Sequence, residues 1–330
     1  MSSGSKIEWS LKQRNNRIFM RKVLFVNPAN PECGIADMGR RGFLNIKKST
    51  KYKVTFKEIL GASNLEMLYS IYKPDILLVN YSRMYFPDLN NFTEKYKDKI
   101  KTALLYHDAG IACHFDSLIF VDTTKQNIPE KLVFSMPRPL NDFDLKPIVN
   151  NEIVRIGSYG FCNTNKNFDK IAEKVCREYD KAILTYFFPR NKFDYDPSMR
   201  QRVISSIKDI VSNSGKDIKL EINENFIENQ ALVDFLRSND INVFLNADRT
   251  VEQDISLSSS TDFALMARRP VAVGKTNMFT HFQGVQPSVF VEDRTFPEII
   301  ESGIEPLSKM YEEHSPQAYL DKFEYIMDHL

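Results

Sequence analysis

The sequence predicts an α/β protein of two domains, each an open, mostly parallel sheet flanked by helices. Three observations predict it. Short, nearly continuous apolar runs such as 22–27 (KVLFVN), 75–81 (DILLVNY) and 241–245 (INVFL) have the pattern of strands covered on both faces. Helical stretches alternate with these runs through both halves of the chain. The length, 330 residues, is well above the roughly 150 typical of a single domain.

Composition narrows the function classes. Hydrophobic content of 42% with 26% charge is that of a globular chain, and a formal net charge of +1 gives no general attraction to nucleic acid or acidic membranes. Any anion site must therefore be local. No apolar run approaches the roughly 18 residues of a membrane span. The first twenty residues are polar and basic without an apolar core, unlike a secretory signal. Residues 1–19 read as a loosely attached extension, and Met20 can equally serve as a start. Cys33, Cys113, Cys162 and Cys176 are widely spaced, so neither a zinc site nor a disulfide framework is supported, and a cytoplasmic setting fits best.

In chain order, Lys22–Asn27 is the first strand and Gly34 opens a helix to about Lys48. Tyr52–Ile59 is a strand, Asn64–Tyr72 a helix and Asp75–Tyr81 a strand, with 88–99 a polar helix or loop. Lys101–His107 is a fourth strand, and apolar runs at Ser117–Val121 and Lys131–Phe134 extend the sheet. The stretch from Met136 through Pro147 to Asn151 breaks the pattern and reads as an interdomain linker. The strand–helix plan then repeats: strands at Ile153–Ser158, Lys181–Phe188, Ile218–Ile222, Ile241–Leu245, Pro270–Gly274 and Ser288–Val291, with helices at Asn167–Tyr179, Ser198–Ser212, Asn229–Ser238, Ser260–Ala267 and Thr295–Ser302. An amphipathic helical tail closes the chain, with Tyr311, Tyr319, Phe323, Ile326 and Met327 as core positions. The domain limits that follow are 20–145 and 146–308, with 309–330 as a tail.

In open parallel sheets ligands sit beyond the carboxyl ends of the strands. In the first half that rule selects the loop from Asn27 to Ala36, including Gly34 and Ile35, the turn at Asn80–Arg83 and the turn from His107 through Asp108 to Gly110. No GxGxxG fingerprint is present, so a dinucleotide cofactor is disfavoured. In the second half, Gly157-Ser158-Tyr159-Gly160 with Lys166 is a junction where backbone and a point charge can meet an anion. Asn246-Ala247-Asp248-Arg249 leads from a strand into a Ser-rich loop. Ser258, Ser259 and Ser260 are N-cap types whose hydroxyls accept from first-turn N–H groups, and such a helix start can seat a diphosphate. Arg268 and Arg269 stand at its other end. Each feature also has a plain structural reading: a turn glycine, a hydrogen-bonded histidine, a solvated lysine, a capped surface helix.

Four of these segments together resemble the GT-B-fold, nucleotide-sugar-dependent glycosyltransferases of the family 4, or group 1, type. Pro31-Glu-Cys-Gly-Ile-Ala-Asp37 is similar to the loop after the family's first strand, where backbone approaches donor phosphate and acceptor. Leu104-Leu-Tyr-His-Asp108 is similar to the strand end whose His contacts the donor sugar. Ile156-Gly-Ser-Tyr-Gly160 with Lys166-Asn167 is similar to the element whose Lys binds the donor diphosphate, and Ser258 through Val273 to the segment ending EALA-xGxPV. The likeness covers about residues 20 to 310. Two departures stand out. Asp254 and Asp262 keep the separation of the family's paired acids, but Asp262 precedes the expected position, where Phe263 stands. The Arg that usually joins the phosphate-binding Lys has no match, and Ser158 or Tyr159 is near its place.

The resemblance implies two Rossmann-like domains facing a cleft, the first on the acceptor side and the second binding the donor nucleotide, with the C-terminal helix crossing back. It implies transfer of a sugar from a nucleotide diphosphate sugar to a glycan, lipid-linked or protein acceptor, retaining and metal-independent, with no further cofactor. His107, Lys166 and Asp262 would be catalytic, and Arg268 or Arg269 could add charge. A GT-B epimerase or hydrolase, and a catalytically degenerate sugar-binding subunit, stay open as alternatives. Met84-Tyr85-Phe86 and Phe187-Phe188 are candidates for acceptor or peripheral membrane contact.

Overall fold

In the computed structural model, residues 20–30, 33–107, 110–190, 197–225, 228–248 and 257–330 are described. Six strands form the first sheet: β1 (Arg21–Pro28), β2 (Tyr52–Ile59), β3 (Ile76–Tyr81), β4 (Lys101–Tyr106), β5 (Ser117–Phe120) and β6 (Val133–Ser135). Their order is β2-β1-β3-β4-β5-β6, every neighbouring pair parallel. Alternate residues of β1 face opposite layers, as the period of a strand requires. Val23 and Phe25 pack with Met38 of helix α1 (Gly34–Ile46), while Leu24 and Val26 share a core with helices α2 (Leu65–Tyr72) and α3 (Leu89–Tyr96). Both sides of the sheet are thus covered, which is why its strands read as unbroken apolar runs.

Five strands form the second sheet, β7 (Arg155–Tyr159), β8 (Lys181–Phe187), β9 (Asp217–Asn223), β10 (Ile241–Phe244) and β11 (Val271–Val273), in the order β11-β10-β7-β8-β9 and again all parallel. One face carries α4 (Phe168–Glu178), α5 (Pro197–Asn213) and α8 (Phe296–Glu301); the other carries α6 (Asn229–Arg237), α7 (Ser260–Met266) and α9 (Ser308–Glu313). The strand expected at Ser288–Val291 is reduced to a single bridge between Phe290 and Val273, because the chain turns at once from Phe290 toward Asp293 and Arg294. The last helix, α10 (Pro316–Asp328), leaves the second lobe and inserts Tyr319, Phe323, Ile326 and Met327 into the core of the first, beside Phe25 and Ile76. No helix among the described residues is long and apolar enough to cross a membrane.

Candidate active site between the lobes

Each sheet reverses its strand order once, between β1 and β3 in the first lobe and between β7 and β10 in the second. Loops leaving the two sides of such a point diverge and open a crevice at the carboxyl ends. In the first lobe the crevice is lined by two asparagines that end β1 and β3. Asn80 Nδ2 donates to Asn27 Oδ1 (2.7 Å) and to the Ile35 carbonyl (2.7 Å), and Asn27 Nδ2 donates to the Ala36 carbonyl (3.0 Å). Side chains at the strand ends thus clamp the first turn of α1. Gly39 allows this approach, because a Cβ there would fall on Asn27 Oδ1.

His107, next after β4, joins the same network. Its Nε2 lies 2.5 Å from Asn80 Oδ1, and Asn80 Nδ2 is already spent on two acceptors, so the ring donates. Burial, reinforced by Arg138 and opposed by Asp262, pushes the His107 pKa down to about 3. The ring is therefore neutral near pH 7, with Nδ1 as an acceptor and no charge to offer. Arg83 is exposed, its Nη1 3.5 Å from where a Cβ on Gly110 would stand.

In the second lobe a short turn at Thr164–Lys166 follows β7 and is pinned to β10. Ala247 N donates to the Asn165 carbonyl (2.8 Å), and Asn167 Nδ2 to the Leu245 carbonyl (2.5 Å). Asn167 adopts φ +50°, a left-handed geometry that Asn tolerates better than most residues. Held this way, Lys166 extends Nζ to within 3.5 Å of Ser258 Oγ. Gly160, at φ +151°, sits against both Lys166 and Ser260: a Cβ there would be 3.5 Å from Lys166 Cε and from Ser260 Oγ. Ser259 faces the other lobe, its Oγ 2.8 Å from the position of a Cβ on Gly34. Gly34, Ser258, Ser259, Ser260, Gly160 and Lys166, from three separate stretches of chain, therefore meet at one place between the lobes.

Several sequence expectations change in detail. The serine hydroxyls do not cap α7: Ser259, at the N-cap, already has helical angles (φ −68°, ψ −15°), so its side chain makes no bond to the first turn. Gly157 and Ser158 lie within β7, as the strand expected at Ile153–Ser158 has them, but the strand continues to Tyr159 and they do not reach its open end. Gly157 makes room for Asn239, and Ser158 Oγ donates to the Val243 carbonyl at 2.6 Å, so neither is available to a ligand. Tyr159 ends the strand edge-on to Phe263, where burial and the charge of Asp37 raise its pKa. Arg269 is buried against the Asn239 carbonyl and Asp240 (2.7 Å). Arg268, at φ +53° beyond the carboxyl end of α7, stacks on Tyr311 at 3.9 Å. Both cations are at the wrong end of α7 to meet an anion at its start. Asp248 is exposed, accepts from the Asn277 N–H at 2.8 Å, and lines a pocket of about 390 Å³ with Thr276, Asn277, Thr280, Gln283 and Phe290. Phe86, Phe187 and Phe188 are core residues; of the proposed contact aromatics and their neighbours Met84 is the exposed one, at 65%. Asp108, Arg249 and Asp254 lie outside the described residues.

Asp262 departs most. Its Oδ2 accepts from Arg138 Nε (2.8 Å) and Arg41 Nη2 (2.8 Å), and its Oδ1 from Arg138 Nε (2.9 Å). All three side chains are buried. Burial alone would raise the Asp262 carboxyl, but Arg138 and Arg41 outweigh it and hold the pKa below its ordinary value. One residue is about 100° of helix rotation, so an acid placed one position before the expected one is turned by that angle, and here it looks toward Arg41 of α1. Arg41 and Arg138 carried no expectation, whereas Asn27 and Asn80 entered as the first residues of the two strand-end turns expected to face a ligand. The asparagines left a trace, since Val-Asn stands one residue before the end of both strands; Arg41 and Arg138, 97 positions apart (138 − 41), leave none.

No protein-family model matches the sequence, and no curated protein matches it significantly. Solved structures do share its architecture. The N-terminal domain of Candida albicans trehalose-6-phosphate phosphatase is 11% identical, covering 93% of this chain and 97% of its own, with a TM-score of 0.63. Anabaena HepE in complex with UDP is 10% identical over 94% of this chain and 100% of its own, with a TM-score of 0.62. A UDP-forming α,α-trehalose-phosphate synthase from Burkholderia xenovorans is 9% identical over 93% and 98%, with a TM-score of 0.58. At such identities the likeness is one of fold: the chain has the two-lobed GT-B fold.

Proposed function

We propose that the protein is a glycosyltransferase that takes its sugar from a nucleotide diphosphate sugar held by the second lobe and passes it to an acceptor held by the first. The meeting of Lys166, the Ser258–Ser260 stretch, Gly160 and Gly34 carries this reading. Lys166 supplies a point charge beside the Ser258–Ser260 hydroxyls, so charge developing on a departing nucleoside diphosphate is met by donors already in place. His107, neutral and fixed by Asn80, would orient the donor through Nδ1. Transfer with retention and without a metal follows from the resemblance. The solved structures give the reading further support: HepE has been captured with UDP and with UDP and glucose, and the Burkholderia synthase with glucose-6-phosphate.

The test has two stages. A thermal-shift screen against UDP, GDP, CDP, ADP and their sugars identifies the base, since a ligand at 100 times its Kd stabilises by about 2.7 kcal/mol. Incubation with the matching sugar donor, with and without acceptors, then separates transfer from epimerisation or hydrolysis. Absence of any nucleotide-dependent shift would sink the proposal. A second reading, a nucleotide-sugar-binding subunit without turnover, is favoured by one observation: the Asp262 carboxylate is saturated by two arginines, and Phe263 stands where the family's acid would. Binding without turnover would establish it.

A further inference from the structure

Helix α1 presents three different residues to the second lobe from one stripe of its surface, at positions 34, 37 and 41, the spacing that puts side chains on one face. Gly34 lies against Ser259. Asp37 Oδ1 accepts from Asn229 Nδ2 of α6 at 2.8 Å. Arg41 reaches Asp262 of α7 at 2.8 Å, lies over the Phe263 ring at 5.3 Å, and also bonds Asp37 and the Pro139 carbonyl of the linker. Arg138, from the same linker, completes the pair on Asp262. Two arginines and two carboxylates thus balance at the junction of both lobes and the segment joining them. A buried ion cluster is a poor source of stability, because the cost of dehydrating the charges offsets their attraction. It is well suited to a contact that opens, since each charge regains water on separation.

We propose that this face of α1, together with Arg138 and Asp262, is a latch that couples closure of the lobes to assembly of the donor site. Asp262 acts as a positioning residue and not as a ligand. It lies in the first turn of α7, two residues after Ser260. Engaging Arg41 therefore fixes the same turn whose amino end faces Lys166 and Gly34. The inference rests on the donor reading above for the second half of its claim only; the closure half stands on the interlobe contacts alone.

Small-angle scattering and calorimetric titration with UDP test the two halves separately on the full chain. A compact chain of this length has a radius of gyration of about 20 Å. Arg41→Gln and Asp262→Asn each raise it in the unliganded protein while circular dichroism keeps its folded signature, and saturating UDP reverses the rise. UDP affinity falls within the roughly 5- to 150-fold span of coupled sites in both variants, and the double variant is no weaker than the singles. Arg41→Lys, which keeps the charge without the fork, gives an intermediate radius and serves if the other variants fail to fold. Unchanged radii in the folded variants overturn the latch. Loss of UDP binding confined to Asp262→Asn, with Arg41→Gln and Arg138→Gln binding normally, also overturns it by making Asp262 a direct ligand. Expanded radii in a protein that never binds UDP uphold closure and discard the donor reading instead.

Discussion

Replacing His281 with Met should stabilise the protein and flatten its response to acid. His281 is buried beside Phe282, ring centroids 4.4 Å apart, and neither ring nitrogen has a hydrogen-bond partner among the described residues. Leaving a buried polar group unsatisfied costs about 1–3 kcal/mol. Met is close in volume and flexible enough to fill the space, so a gain of that size is expected at pH 7. The sign of the pH effect follows from proton counting. Burial, with His314 adding to it, lowers the His281 pKa to about 3, whereas in the unfolded chain it is about 6.5. The unfolded state therefore binds the proton first, and stability falls as the pH drops below about 6.5. Each such histidine contributes a slope of about 1.4 kcal/mol per pH unit. His107, also lowered to about 3, doubles it to about 2.7 kcal/mol per unit between pH 6 and 4, and the depressed His314 adds in the same direction. Urea unfolding of wild type and His281→Met at pH 7, 6, 5 and 4.5 measures both effects. A variant less stable than wild type at pH 7, or one whose slope is as steep, would refute the assignment of an unpartnered neutral ring.

Three further outcomes are expected. Lys166→Ala should weaken UDP binding by about 1.5–3 kcal/mol, the worth of a hydrogen bond to a charged group; equal affinities by calorimetry would remove Lys166 from the site. Gly34→Val places a branched side chain against Ser259 Oγ, 2.8 Å from the Cβ position, so UDP binding should fall without loss of thermal stability; wild-type affinity would show that the lobes need not approach there. Gly157→Ala forces a methyl onto Asn239, which is also bonded to Thr185 and Asn242, and should cost about 1–3 kcal/mol as an overpacked core does. An unchanged melting temperature would contradict the packing described.

How much was legible in the sequence depended on whether the signal was periodic or three-dimensional. β3, expected at Asp75–Tyr81 and found at Ile76–Tyr81, and α1 from Gly34 are where the apolar patterning put them, because a strand buried on both faces and an amphipathic helix advertise themselves residue by residue. Phosphate-competent glycines and Lys166 were legible as strand-end features, and they do converge. Gly157 and Ser158 were legible as the end of a strand closing at Ser158; the strand runs one residue further, to Tyr159, and that keeps both inside the sheet and out of the cleft. Asp262 was legible as an acid but not as a direction: only the helix phase against α1 shows that it faces Arg41. Arg268 shows the same limit, since nothing local announces that an arginine occupies a left-handed turn where Tyr311 can hold it.

The placement of α10 has a consequence for how the chain comes into being. One side of the first sheet is finished by Tyr319, Phe323, Ile326 and Met327, made some 160 residues or more after β7 has begun the second lobe (319 − 155 = 164). On the ribosome the lobe that emerges first must wait, part of its apolar surface bare, until nearly everything else has been synthesised. The second lobe is therefore the one able to settle early, and a truncation after residue 315, which keeps α9 and removes α10, should damage not the lobe the cut adjoins but the one earlier in the chain.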